Sequence, residues 1–389
     1  MLGTTWFGKV RMWHVALGAA CWVGLSVVLS PPRSHAGIGD EVRPIIVPQL
    51  KYMGNASCGG GGCHSEPEPT EQSGQWIGDE STIWSEGDPH AEAYKTLSNE
   101  ASAAMAGKLG IADAAKSSRC TTCHAMDVPA AQHGDLFAIQ DAVGCESCHG
   151  PAEKYLNPHV EAGWTIAKRK ELGSDGLLKQ FGLVDTSDLS VRATTCVVCH
   201  LQIDKDMIDA GHPPLEFELY AYNYYVSKKG KQFAMHWIEP TGVQQDARLW
   251  AVGQAAALIA SEKMLADWQA KGWDASSAKS LRDLYAAAVG VARTHFGADT
   301  PTGLKQAEYT PAKTAAAAKD LAALAPKAST AIERRIVAFG VSALGAATFD
   351  GRGVAVPDDF WAAYATATGG DSGDAYTKAV ADMARIAQP

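Results

Sequence analysis

Four times between residues 58 and 200 the chain sets two cysteines a few residues apart and follows the second at once with histidine. The sets are Cys58-Gly-Gly-Gly-Gly-Cys63-His64, Cys120-Thr-Thr-Cys123-His124, Cys145-Glu-Ser-Cys148-His149 and Cys196-Val-Val-Cys199-His200; of the nine cysteines only Cys21 stands outside them. Two thiols a short arc apart can each add to one vinyl group of a haem, and the next residue then lies under the iron as its proximal ligand. The motifs therefore predict four covalently attached haem c groups, with His64, His124, His149 and His200 as proximal ligands. In the first set the arc is longer, and glycine's access to positive φ is expected to let the extra residues bulge while both sulfurs reach the ring. A disulfide framework would leave four histidines unexplained. Zinc sites combine two separated pairs and do not repeat a self-contained triplet.

Four macrocycles in fewer than two hundred residues leave little room for a conventional core, so the haems themselves are expected to form it. The fold class that follows is mainly α: a haem-packed cytochrome domain over residues 52–240 with little regular sheet, its motifs on short turns, and one helix from Glu92 to Lys108 opening near Asp88-Pro89. From about Gln244 the sequence becomes alanine-rich and free of cysteine, and residues 241–389 read as an antiparallel helical bundle. Ala251, Ala255, Leu258, Leu265 and Trp268 share one helical face that Gly272 ends, and Leu281, Leu284, Ala288 and Val291 mark the next helix. Thr310-Pro311 opens a third that stops before Pro326, and Thr330 with Glu333 forms a capping box for a fourth. Further helices follow Pro357 and Asp374. Tyr220 to Tyr225 and Trp237 leave no flexible linker between the two parts.

Residues 1–36 read as a cleavable signal peptide, with Lys9 and Arg11 in front, an apolar run from Val15 to Leu29, and Ser34-His35-Ala36 at the cleavage site. That run is shorter than the roughly 20 residues a membrane-spanning helix needs. Cys21 lies inside it, one place off a lipoprotein pattern. Residues 37–51 would be a lead-in to the mature protein. Cleavage removes Lys9, Arg11 and Arg33 and no acid, taking the formal charge from −9 to −12. A chain this acidic has no electrostatic case for nucleic acid and favours partners with basic surfaces.

Six histidines remain as sixth-ligand candidates, and four irons need at most four. His90, behind Asp88-Pro89, His159, behind Pro158, His212, in Ala210-Gly211-His212-Pro213-Pro214, and His236, in Ala234-Met235-His236-Trp237, are the distal candidates. His133 sits in a polar turn and is expected at the surface. His295 follows an apolar helical stripe, where a core or helix-terminal role is the ordinary reading. Met105, Met126 and Met207 are thioether alternatives more suited to packing.

With these motifs the chain resembles the tetrahaem cytochromes typified by cytochrome c554, the electron acceptor of hydroxylamine oxidoreductase, and their larger relatives. The likeness covers roughly residues 52–237 and is densest at Val143-Gly144-Cys145-Glu146-Ser147-Cys148-His149-Gly150-Pro151, with Asp88-Pro89-His90-Ala91 a second point of similarity. The resemblance implies His159 as sixth ligand of the first haem, with His90 and His236 serving the third and fourth in either order. The typical member leaves its second haem five-coordinate. Here the His212 segment has no counterpart in that short member and resembles the larger relatives, so His212 is expected to complete the second haem. The first motif's length and the region after residue 240 depart from the short family.

The function expected is electron transfer in the periplasm between a periplasmic or membrane-associated donor protein and an acceptor protein. Two rivals stand beside it: an oxidoreductase acting on a small nitrogen or oxygen species at one open iron, and a self-associating conductive filament.

Overall fold

The computed structural model describes residues 49–60, 63–65, 78, 80–223, 244–370 and 373–388. The signal-peptide reading and His236 lie outside them. The described chain is mainly helical, and its only β pairing is an isolated bridge between Tyr52 and His133. No helix among the described residues is long and apolar enough to cross a membrane.

The motif-bearing part is built from α1 (Ala56–Gly59), α2 (Glu80–Gly87), α3 (Ala93–Thr96), α4 (Glu100–Lys108), α5 (Ser118–His124), α6 (Cys145–His149), α7 (Ile166–Phe181), α8 (Leu189–Leu201) and α9 (Lys205–Ala210). Contrary to the single helix expected over Glu92–Lys108, the chain breaks at Ser98-Asn99. Asn99 is extended and its side chain accepts the Ser102 N–H at 2.8 Å, so it starts α4 and does not continue α3. Asp88 does the same earlier in the chain, accepting from the His90 N–H and opening a 3₁₀ turn over Pro89–Glu92. The later motifs sit on helices, not on turns. The second and third make up most of α5 and all of α6, and the fourth closes α8, whose start is capped by Asp188.

The second part comprises α10 (Leu219–Asn223), α11 (Gln245–Ala270), α12 (Ser276–Phe296), α13 (Pro301–Gln306), α14 (Pro311–Ala322), α15 (Ala331–Gly351), α16 (Asp358–Thr368) and α17 (Asp374–Ile386). The capping signals operate where the sequence places them: Thr310 caps α14, the Thr330–Glu333 box caps α15, and Gly272 takes φ +68° after α11. The short α13, capped by Thr300, is an addition.

Helices α11 and α15 are apolar nearly all round, as central helices must be. They run antiparallel, with the Gln244 N–H donating to Asp350 at one end and Trp250 lying on Gly340 further along. Helix α14 is also antiparallel to α15, since Thr314 meets Thr348 and Leu321 meets Gly340. Helix α17 instead runs parallel to α15, because α16 makes the return: Tyr376 bonds the Arg334 carbonyl at 3.0 Å while Gly345 approaches Ala387.

The two parts share one core. Leu189, Ala193, Val197 and Leu201 of α8 pack in the same cluster as Phe217, Leu219, Trp250, Ala257 and Val341. Trp268 of α11 donates to the Ile203 carbonyl at 2.9 Å, and Lys305 of α13 reaches Asp188 at 2.6 Å. Helix α8, which carries the fourth motif, is thus held by the bundle.

Candidate functional site

All four motifs open onto one cavity of about 2540 Å³. Its wall includes all eight motif cysteines, His64, His124, His149 and His200, and also His90, His159 and His212. A site for one drug-sized ligand occupies about 300–1,000 Å³, so this volume suits several large groups. Among the described residues, three buried polar atoms in the wall find no partner: Ser147 Oγ, Arg169 Nε and Gln202 Oε1. A guanidinium N–H left without an acceptor suits a propionate carboxylate, and the residues present therefore fit haem.

The histidine rings face one another in pairs across this space. His64 and His159 lie with ring centres 6.1 Å apart and planes 12° from parallel. His124 and His212 are 6.3 Å apart at 79°, and His90 and His200 are 5.7 Å apart at 89°. Metal–imidazole bonds of about 2.0–2.1 Å put two ring centres on opposite sides of one metal roughly 6 Å apart. His149 lines the cavity as well, and the remaining distal candidate, His236, lies outside the described residues.

Which ring nitrogen is committed elsewhere separates these histidines from the others. Nδ1 is held by a carboxylate in His64 (Glu80, 3.0 Å) and His90 (Asp88, 2.9 Å). It is held by a backbone carbonyl in His124 (Ala93, 3.0 Å), His159 (Tyr155, 2.9 Å) and His212 (Pro213, 2.8 Å). Each arrangement orients the ring through Nδ1, the habit of metal-ligating histidine. His133 and His295 spend Nε2 instead, on the Val128 carbonyl at 3.0 Å and on Asp320 at 2.8 Å. His133 is half-buried against Phe137 and not at the surface, because the Tyr52 bridge pulls its turn inward. Met126 packs with Tyr52 and Val128, and Met105 and Met207 form part of the cavity wall.

Burial and neighbouring charge set the protonation of these rings. Burial, with His90 adding to it, pushes His200 down to about 4, and burial lowers His124. The Glu80 carboxylate raises His64. Burial works against charge on His90, but Asp88 outweighs it and the net shift is upward.

Of the first motif's glycines, neither Gly59 nor Gly60 takes positive φ. Gly60 is extended at φ −72°, and a Cβ there would meet nothing within 4 Å. Gly59 is needed for close approach, since a Cβ would stand 2.7 Å from Ser81 Oγ and 2.9 Å from Ser65 Oγ. Gly61 and Gly62 lie outside the described residues. The Cys58 and Cys145 thiols are hydrogen-bonded, so the first and third motifs meet edge to edge.

Glu146, between the third pair of cysteines, has a structural role that its place in the motif conceals. Wholly buried, it accepts N–H bonds from Met53 (2.9 Å), Gly54 (2.7 Å) and Ala152 (2.6 Å), tying the Met53-Gly54 segment and the following loop to α6.

Residues 57–150, which hold the first three motifs, match the family described as cytochrome c554 and c-prime. Over this stretch the chain is similar to the multihaem c-type cytochromes of the cytochrome c554 family. No curated protein and no solved structure matches it. The fourth motif of this cytochrome, Cys196 to His200, and the helical bundle lie beyond the matched segment.

Proposed function

We propose that this cytochrome is an exported tetrahaem electron carrier whose four irons each have two histidine ligands. The observation that carries the reading is the set of three ring pairs about 6 Å apart, with Nδ1 of His64, His90, His124, His159 and His212 held by the protein. His64 with His159, His124 with His212, and His200 with His90 would hold the first, second and fourth haems. His236 is then left for His149 and the third.

Haem c supplies a reversible one-electron iron couple, and the axial histidines set its range. The chain's own work is to staple, orient and shield: the cysteines fix each ring, Glu80 and Asp88 make their histidines stronger donors, and the α8 side chains shut water away from the fourth site. With both axial positions taken, no iron is open to a small substrate, and transfer between proteins is the activity supported. An acidic carrier suits a donor and an acceptor with basic docking faces, and residues 1–36 as a signal peptide suit the periplasm.

Intact-mass and pyridine haemochrome measurements on the purified protein are expected to give four haems on a chain beginning at Gly37. Electron paramagnetic resonance of the oxidised protein is expected to show only low-spin iron. A high-spin signal of one haem per chain, with carbon monoxide binding after reduction, would overturn the carrier reading in favour of an open catalytic iron.

A further inference from the structure

Glu218 lies where the fourth motif meets the bundle, and it is 1% exposed. Its carboxyl accepts the backbone N–H groups of Tyr220 and Ala221 and, at 3.2 Å, the amide of Gln254 on α11. No cation among the described residues bonds it. Arg335 of α15 bonds the neighbouring Glu216 at 2.9 and 3.0 Å. The other titratable groups around it are Tyr222 on its own helix, Tyr285 from α12 and Tyr364 from α16, all kept neutral by burial. On the far side of Tyr222 stands α8: the Tyr222 ring centre is 4.8 Å from that of His200, and Cys196 also acts on Tyr222. The Tyr222 ring therefore stands between the fourth motif's histidine and a buried carboxyl that no described cation bonds.

A buried carboxylate without a cation is costly, and the cheapest relief is a proton. Burial, with Glu216 adding repulsion, pushes Glu218 up to about 8 against its hydrogen bonds. A positive charge gained or lost nearby, through a low-dielectric interior, then decides whether the proton stays.

We propose that Glu218 is a redox-linked proton site, taking one proton from solvent when an electron reaches the iron held by His200 and releasing it when that electron leaves. The inference rests on reading His200 as a haem ligand. In the reduction one electron from the donor protein converts ferric to ferrous iron and one proton converts the carboxylate to the acid, so local charge is unchanged. Ferric iron favours the carboxylate and ferrous iron the acid. The potential of this haem therefore falls as pH rises. Gln254, supplied by the bundle, positions the carboxyl.

The test is a spectroelectrochemical titration of the full-length holoprotein and its Glu218→Gln variant on both sides of pH 8, with redox-difference infrared spectra of both. One haem in the parent should show a potential that falls with pH, and the variant should lose that slope. On reduction the parent should gain the C=O stretch of a protonated carboxyl, which the variant lacks. A slope that persists in the variant belongs to other groups and overturns the proposal. So does a parent spectrum without the carboxyl band, a readout independent of whether the variant folds. Peptide mass spectrometry of the segment holding Cys196 and Cys199 is read first. If no haem is attached there, the four-haem reading falls and this proposal with it; if haem is present and the slope persists, only the proton site falls.

Discussion

His212 is presented by a loop that only a few residue types can build. Gly211 takes φ +119° to end α9, two prolines follow, and the Pro213 carbonyl holds Nδ1 at 2.8 Å. Removing the imidazole in His212→Ala should leave the iron of His124 with one protein ligand. The expected result is high-spin iron amounting to one haem in four and carbon monoxide binding by the reduced protein, both read by spectroscopy against the parent. Glu146 belongs to the same scale. Glu146→Ala would strand the buried N–H donors of Gly54 and Ala152 and the half-buried one of Met53, at about 1–3 kcal/mol for each left unsatisfied. Denaturant unfolding of the ferric protein should show a loss of about 3 kcal/mol or more, and the attachment yield at Cys145 and Cys148 should fall with it.

Between elements, small residues decide how closely helices approach. A Cβ on Gly340 would stand 2.5 Å from both Leu321 Cδ2 and Trp250 Nε1, whereas one on Gly290 would meet nothing within 4 Å. Gly340→Ala should therefore destabilise by about 1–3 kcal/mol through overpacking. Gly290→Ala, in the interior of α12, should stabilise by about 0.4–1 kcal/mol, so thermal unfolding should move the two midpoints in opposite directions. The contact between α8 and α13 carries a pH signature. Burial alone would raise Asp188, but the Lys305 ammonium and Ser190 hold it below the ordinary carboxylate value of 3.8. A folded-state value below the unfolded one stabilises fully above that value, and the contribution is lost as pH falls beneath it. Asp188→Asn should be less stable than the parent near neutrality, by about 1–2 kcal/mol. Acid titration of stability should show the gap closing below about pH 4.

For the whole molecule, the shared core makes the bundle part of the cytochrome's support. A chain ended after residue 243 would expose Ala193, Val197 and Leu201 of α8 and remove the Trp268 and Lys305 contacts. Such a fragment should lose the low-spin signature of one haem and unfold at lower temperature, as absorption and circular dichroism would show. A bundle serving only to dock a partner would leave the haem spectrum unchanged on removal.

The attachment motifs are legible in the sequence because the chemistry they imply is local: two thiols and a histidine must be a few residues apart to grip one ring. Capping was legible for the same reason, and Thr310, Thr330 and Gly272 act where they were expected. Asn99 escaped notice because an asparagine's choice between continuing a helix and capping the next depends on what the preceding turn packs against. The reversed direction of α17 and the second use of Glu146 were likewise invisible, since both depend on partners distant in the chain. Spacing along the chain nominated the histidines, but it carries no information on which rings meet or which nitrogen is committed. Only the tertiary structure set His90 opposite His200, turned the Nε2 atoms of His133 and His295 away, and buried Glu218 behind Tyr222. Those relations arise from packing between segments far apart in sequence, where distance and burial, not residue order, decide what a side chain can do.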